Sequence, residues 1–432
     1  MSETTPEALG QRMHALAADL FPFCRSITGD GVRATLARMS EEVPIEVHEV
    51  PTGTPVFDWT VPEEWNIREA WIKGPDGMEV VNFANHNLHV VGYSTAVHET
   101  MSLAELKPHL YSLPDQPELI PYRTSYYNRN WGFCLPHRQL EALGDGDYEV
   151  FIDATHGDGH LTYGELFIEG AECEEVLISC HGCHPSLAND NLAGAAVAVE
   201  LARHLASEPR RLSYRFLFIP GTIGSITWLA TNEEKIPNIR NGLVITCAGD
   251  AGPVSYKQTR DGNALIDRAM KLVFETSGDE FRIMEFHPYG YDERQFNSPG
   301  IKIPVGSLMR SQHGTFPEYH TSADNLDFIK PDRMVDTLEK ATAAIEVLEH
   351  NARYVNLKPM GEPRLGKYGL YGGGGGQRKS DFSELALLWV LNQSDGSKDL
   401  LEIAERAGMP FRKILTAARS LEEAGLLRKE EG

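Results

Sequence analysis

The chain has 432 residues, 41% hydrophobic and 24% charged, enough to bury sizeable cores in two or three domains. Its formal net charge of −22 argues against a partner held by phosphate contacts, which calls for a basic face. The first twenty positions lack the basic start and apolar core of a signal peptide, and no run reaches the length of a membrane span, so a cytoplasmic protein is expected. Cysteines 24, 134, 173, 180, 183 and 247 are scattered too widely for a disulfide frame and read as free thiols.

Taken in order, residues 1–44 read as N-terminal helices, at 8–20 and 29–39, from apolar spacing at three and four. Residues 45–139 change to short β-like pieces (45–50, 79–83, 88–91) rich in Pro, Trp and Tyr, a β-rich inserted module. Its aromatic residues Trp59, Trp65, Trp71, Tyr126, Tyr127 and Trp131 are expected in its core before a cleft. Residues 140–356 alternate strands (147–152, 161–168, 176–180, 214–219, 242–246, then 282–286 and 303–307) with helices, the pattern of an α/β domain with a largely parallel sheet. A long helix is expected at 333–354.

Residues 357–379 are rich in Gly and Pro, with five glycines at 372–376, and read as a linker. No strand leads into that run and no Lys-Ser follows at the offset a phosphate loop requires, so a phosphate loop is not expected. Residues 380–432 give three helices (383–392, 400–407, 411–424), with Asp399 and Pro410 as starts and Gly408 as a stop, a winged-helix layout. Nine basic and ten acidic residues between 377 and 432 leave this part nearly neutral, so protein contact or homo-oligomerisation is expected ahead of DNA binding.

Chemistry concentrates in 176–205, where an apolar β run ends in two histidines, turns through Pro185 and becomes a small-residue helix. Polar groups at the carboxyl end of a strand sit where open α/β sheets place ligands. His181, His184 and Asp190 there offer mixed nitrogen and oxygen donors, which favours zinc. The segment 180–184 also matches the C-x-x-C-H haem pattern, but its first Cys closes a buried strand, and haem and redox roles are set aside. Three later stretches add to the site: a helix start after Pro220-Gly221, a loop with Asp292 and Glu293, and 316–326 with Glu318 and His320.

This order of motifs is similar to the zinc aminopeptidases and glutamate carboxypeptidases with co-catalytic metal sites. It combines a strand-end His, Asp-Asn-x-x-Gly at 190–194 opening a helix, an acid before Pro-Gly-Ile, and Tyr-His-Thr-x-x-Asp at 319–324. Within that superfamily the chain resembles aminopeptidase-like proteins with a β-rich insertion and a C-terminal winged helix, associated with polysaccharide biosynthesis. The resemblance implies a zinc-peptidase-like mixed α/β sheet flanked by helices. It implies metal ligands at His181, Asp190 and His320, and a substrate-facing acid at Asp292. His184 has no counterpart, so whether His181, His184 or both serve stays open.

The family's paired glutamates should fall near 218–221, where this chain has Phe-Ile-Pro-Gly. Cys183 replaces the acid that supports the first histidine, and Asp250 is the nearest carboxylate to a further ligand position at Cys247. One zinc per chain is therefore expected, with Glu318 or Asp292 managing the proton of a metal-bound water. Arg294 or Arg310 is a candidate clamp for a substrate carboxylate. The expected activity is hydrolysis of an amide bond in a small aminoacyl or amino-sugar compound. The alternatives are metal-dependent acyl transfer or amide formation, and a catalytically inactive ligand-binding relative.

Overall fold

Strands Glu175–His181 and Ser213–Ile219 are mostly apolar and every residue in them is buried, the signature of a sheet covered on both faces. They lie side by side in the computed structural model, which describes residues 5–370 and 384–430. The chain divides into two units, Met1–Arg260 with Met284–Leu338, and Asp261–Ile283 with Glu339–Gly432.

In the first unit the main sheet runs in the order Glu46–Pro51, His160–Ile168, Ser213–Ile219, Glu175–His181, Ile239–Ile245, Val305–Met309, Val254–Lys257. The four central strands are parallel and the outer pairings antiparallel. The expected α/β sheet is present, as a mixed one. Helix Gly194–Leu205 packs on the central strands, and its run of Ala and Val lets the backbones approach closely. Helix Pro6–Leu20 lies against it, tied by Arg12 to Glu200 through two hydrogen bonds of 2.6 Å.

A second, four-stranded antiparallel sheet runs Glu79–Asn82, Glu64–Lys73, Asp147–Gly157, Val97–Ser102. Two sequence expectations are corrected here. The strand beginning at Asp147 belongs to this smaller sheet, because Tyr148, Val150, Ile152 and Ala154 alternate inward and leave the other face less buried. The strand beginning at Glu46 leaves the module and edges the main sheet. Both sheets share one core, in which Trp65, Ile72 and Val150 of the module join Leu177, Leu217 and Val305.

Helix Pro331–His350 crosses the division at 338/339 and ends before the expected position 354. Arg353–Asn356 is instead the middle strand of a three-stranded sheet with Asp395–Asp399 and Leu427–Lys429. The wing therefore draws on residues ahead of the Gly-rich stretch, whose glycines at 372–376 lie outside the described residues. Helices Glu384–Gln393, Leu400–Ala407 and Phe411–Glu423 complete the winged-helix layout.

Asp399 caps its helix as expected, accepting from Glu402 N at 2.7 Å while Glu402 accepts from Asp399 N at 2.8 Å. Gly408 ends that helix in the left-handed region, at φ 59°. Asp399→Ala is expected to cost about 1 kcal/mol, read as a lower urea midpoint of the second unit's unfolding transition. Among the described residues no helix is long and apolar enough to cross a membrane.

Candidate metal centre

Strand Glu175–His181 delivers His181 fully buried to the carboxyl edge of the main sheet. The chain then turns and enters an irregular helical segment, Ala188–Ala193, in which Asp190 departs from helical geometry. That departure points the Asp190 carboxylate back at the strand end. Its Oδ1 lies 2.9 Å from His181 Nε2, its Oδ2 lies 3.0 Å from His320 Nε2, and Tyr291 donates to Oδ2 at 2.6 Å. His184 Nδ1 lies 3.8 Å from Oδ1. One donor atom from each of His181, His184 and Asp190 falls within 4.8 Å of the others. The structure thus brings together all four expected ligand positions.

Protonation fits a cation-binding set. Burial pulls His184 down to about 3, so its imidazole is neutral, and Nδ1 is buried with no hydrogen-bond partner among the described residues. Burial alone would raise Asp190, but His184 and the hydrogen bonds from His181 and His320 hold its carboxyl well below the usual carboxylate range. A neutral imidazole beside an ionised carboxylate is the form in which both ligate metals.

Asp324 holds the turn. It accepts from Asn189 N at 2.6 Å and Asp190 N at 3.0 Å, one amide on each carboxylate oxygen, and its backbone carbonyl accepts from Ala188 N at 3.0 Å. It is the last residue of the 319–324 motif, so the signal was present in the sequence, but its task was not readable there. Asn189 and Asn191 anchor either side of Asp190, Asn189 through Asp250 and Gly249 N, Asn191 through Ile245 O and Cys247 N.

Asp250 is thereby committed: its two oxygens take Asn189, Gly252 N, Ser311 N and Ser311 Oγ. Cys247 stays a protonated thiol, its pKa pushed well up by burial. Cys183 behaves likewise, up to about 12 by burial, with its thiol directed at Gly221 O. Neither the haem nor the redox pattern has an accessible thiol at Cys180 or Cys183, each 1% exposed.

Asp292 is fully buried beside this cluster. Ser225 Oγ donates to its Oδ1 at 2.7 Å, while Oδ2 has no hydrogen-bond partner among the described residues, and burial pushes the carboxyl up to about 6. Gly221 leaves the space for it, since a Cβ there would sit 3.1 Å from His181 Cβ and 3.4 Å from Asp292 Oδ2. The stretch that lacks the glutamates therefore makes room for a different carboxylate.

Glu318 stands apart from these hydrogen bonds. Its backbone carbonyl accepts from Thr321, and its carboxylate has no hydrogen bond to the cluster among the described residues. Arg310 is also spent, on Asp336 at 2.6 Å and Gly252 O at 2.9 Å, which removes it as a substrate clamp.

Aromatic rings pack the histidines. Tyr291 stacks on His181 with centroids 4.2 Å apart, Tyr319 stacks on His320 at 3.9 Å, and their hydroxyls meet at 2.9 Å. Tyr122, from the inserted module, lies edge-on to both His184 and His320 at 5.0 Å. The aromatic residues singled out in the sequence did not include Tyr122, whose neighbours come from far along the chain. Of those singled out, Trp65 is in the core, whereas Trp59 and Tyr127 are about half exposed.

Comparison with known proteins bears on this geometry. Residues 14–351 match the family described as Domain of unknown function (DUF4910), and residues 352–429 match a winged helix-turn-helix model. A Clostridium acetobutylicum relative, whose name ascribes to it polysaccharide biosynthesis and an aminopeptidase-like domain, is 50% identical over 97% of this chain and 96% of its own. A crystal structure of a candidate peptidase from the same organism has a TM-score of 0.94 at 48% identity, covering 98% of this chain and 97% of that one. A zinc aminopeptidase from Bacillus subtilis has a TM-score of 0.59 at 14% identity over 81% of this chain and 96% of its own, a likeness of fold. With an aminopeptidase-like α/β fold followed by a winged helix, the chain belongs to the DUF4910 family.

Proposed function

We propose that the chain is a metal-dependent hydrolase of an amide bond in a small aminoacyl or amino-sugar compound. One zinc ion would be held by His181, Asp190 and His320 together with His184. The observation that carries this reading is the convergence of three imidazoles on one buried carboxylate, with His184 Nδ1 neutral and without a partner. The commitment of Asp250 and the protonated state of Cys247 support a single ion, because a second would lack ligands on that side. The amino-sugar alternative takes its support from the polysaccharide biosynthesis in the relative's name.

A bound zinc supplies a polarised carbonyl and a water of lowered pKa. The chain's own groups do the rest. Asp292, with Oδ1 fixed by Ser225 and Oδ2 free, accepts a proton on Oδ2 during attack and returns it to the leaving nitrogen. Its raised pKa suits both directions near neutral pH. Tyr291 and Tyr319 keep the imidazole planes fixed by stacking, and their linked hydroxyls hold the outer edge of Asp190.

The test is elemental analysis of purified protein, followed by amine release from a panel of aminoacyl amides and N-acylated amino sugars. About one zinc per chain and turnover of one of these classes are expected. Failure of the protein to take up zinc would overturn the reading. Asp292→Asn should keep the metal and lower kcat by about 100- to 10,000-fold. Asp324→Asn should weaken zinc binding by about 10- to 100-fold, since an amide oxygen can serve only one of the two backbone N–H groups that Asp324 now accepts.

A further inference from the structure

The stretch from Gly182 to Leu187 presents His184 yet contains neither strand nor helix. Its supports come from the other end of the chain. Ser186 Oγ donates to Phe21 O at 3.0 Å, and Asn87 Nδ2 bridges Ser186 Oγ at 2.9 Å and Pro22 O at 3.0 Å. Between them Arg25 donates from Nε to His184 O at 3.0 Å and from Nη1 to Leu20 O at 2.5 Å. Leu20 is the last residue of helix Pro6–Leu20, so the guanidinium spans the carbonyl end of a helix and the main chain of His184.

The character of Arg25 is unusual for a packing residue. It is 1% exposed, has no carboxylate partner among the described residues, and leaves Nη2 without a hydrogen bond. Burial pulls it down only to about 10, so it stays charged at neutral pH. An uncompensated buried cation is costly, and a methionine of similar length would fill the space without that cost. Only a planar fork with several donors serves two carbonyls of different elements at once, and the helix end favours a cation there.

We propose that Arg25 is a positioning residue of the metal centre. It fixes the His184 backbone, and with it the imidazole that faces Asp190, to the end of the first helix. The proposal rests on the metal-site reading above. Two effects compete: the charge of Arg25 repels a nearby divalent cation, whereas its hydrogen bonds orient a ligand. Removing it raises metal affinity if the charge dominates and lowers it if the positioning does.

The experiment measures zinc affinity of the full chain by chelator competition, with the visible spectrum of the cobalt-loaded protein as a probe of ligand geometry. Arg25→Met is expected to weaken zinc binding by about 10- to 100-fold and to alter the cobalt bands. Arg25→Lys should recover part of the loss. In a His184→Ala background, Arg25→Met should add little, because the two act through one ligand. Ile72→Ala, a core truncation in the smaller sheet, controls for lost stability and should leave the affinity unchanged.

Equal or tighter zinc binding by folded Arg25→Met, with an unchanged cobalt spectrum, would overturn the proposal. So would full additivity with His184→Ala. If Arg25→Met does not fold, Arg25→Lys carries the same comparison, and wild-type affinity and bands in it overturn the proposal. Absence of metal uptake by the wild-type chain would overturn the metal reading itself, a distinguishable outcome.

Discussion

Asp190→Asn is expected to weaken zinc binding by more than about 100-fold while leaving the circular dichroism spectrum unchanged. Losing a group that merely orients a ligand already costs about 10- to 100-fold. Asp190 would itself hold the ion: each of its oxygens faces a histidine, and both are needed as acceptors. An asparagine keeps one oxygen and turns an NH2 toward the other histidine, which removes the charge and one donor site together. The fold survives because the main chain at this turn is held by Asp324, Asn189 and Asn191 independently of the Asp190 side chain. Chelator competition reads the affinity, and wild-type binding by the variant would remove Asp190 from the centre.

Arg215→Met is expected to lower unfolding free energy by about 3–5 kcal/mol, the cost of stranding buried partners of an ion pair. Arg215 lies on a central strand and reaches Glu175 on the neighbouring strand through bonds of 2.6 and 2.9 Å. It also pairs with Glu165 on its other neighbour, whose second oxygen accepts from Trp228 Nε1 at 2.8 Å. All three charged residues are 6% exposed or less. Without the guanidinium, two carboxylates remain in the sheet with one lysine, Lys235, at 3.5 Å from Glu165. Urea unfolding measures the loss. Adding Glu165→Gln and Glu175→Gln should restore much of it, and a triple variant no more stable than the single one would contradict the account.

Where residue type and local spacing carried the information, the sequence was legible. The apolar runs at 176–180 and 214–219 announced buried strands, and His181, Asp190 and His320 stood out as ligand types at a strand end and in a compact motif. The cap at Asp399 and the stop at Gly408 were visible for the same reason. What was not legible depends on pairing between distant positions. Strand Asp147–Gly157 reads equally well for either sheet until its partners Glu64–Lys73 and Val97–Ser102 are known. Tyr122, Ser225 and Arg25 carry no local signal of their neighbours, and Glu318 looked apt only because it is close to His320 in sequence. Gly221 was legible as the absence of a carboxylate, but not as space for Asp292.

The bond from Tyr122 N to His320 O, at 2.8 Å, sits where the inserted module meets the last motif of the centre. Tyr122, His184, Asp292 and His320 are separated by long stretches of chain, so the loops that join them must all close before the donor set exists. A chain still folding has no such set, so on the proposed reading zinc would arrive late and report completion of the first unit. By mass action it would stabilise only that finished state, by about 2.7 kcal/mol when free zinc stands at 100 times its dissociation constant. The metal supply would thus govern how long the folded protein persists as well as whether it reacts.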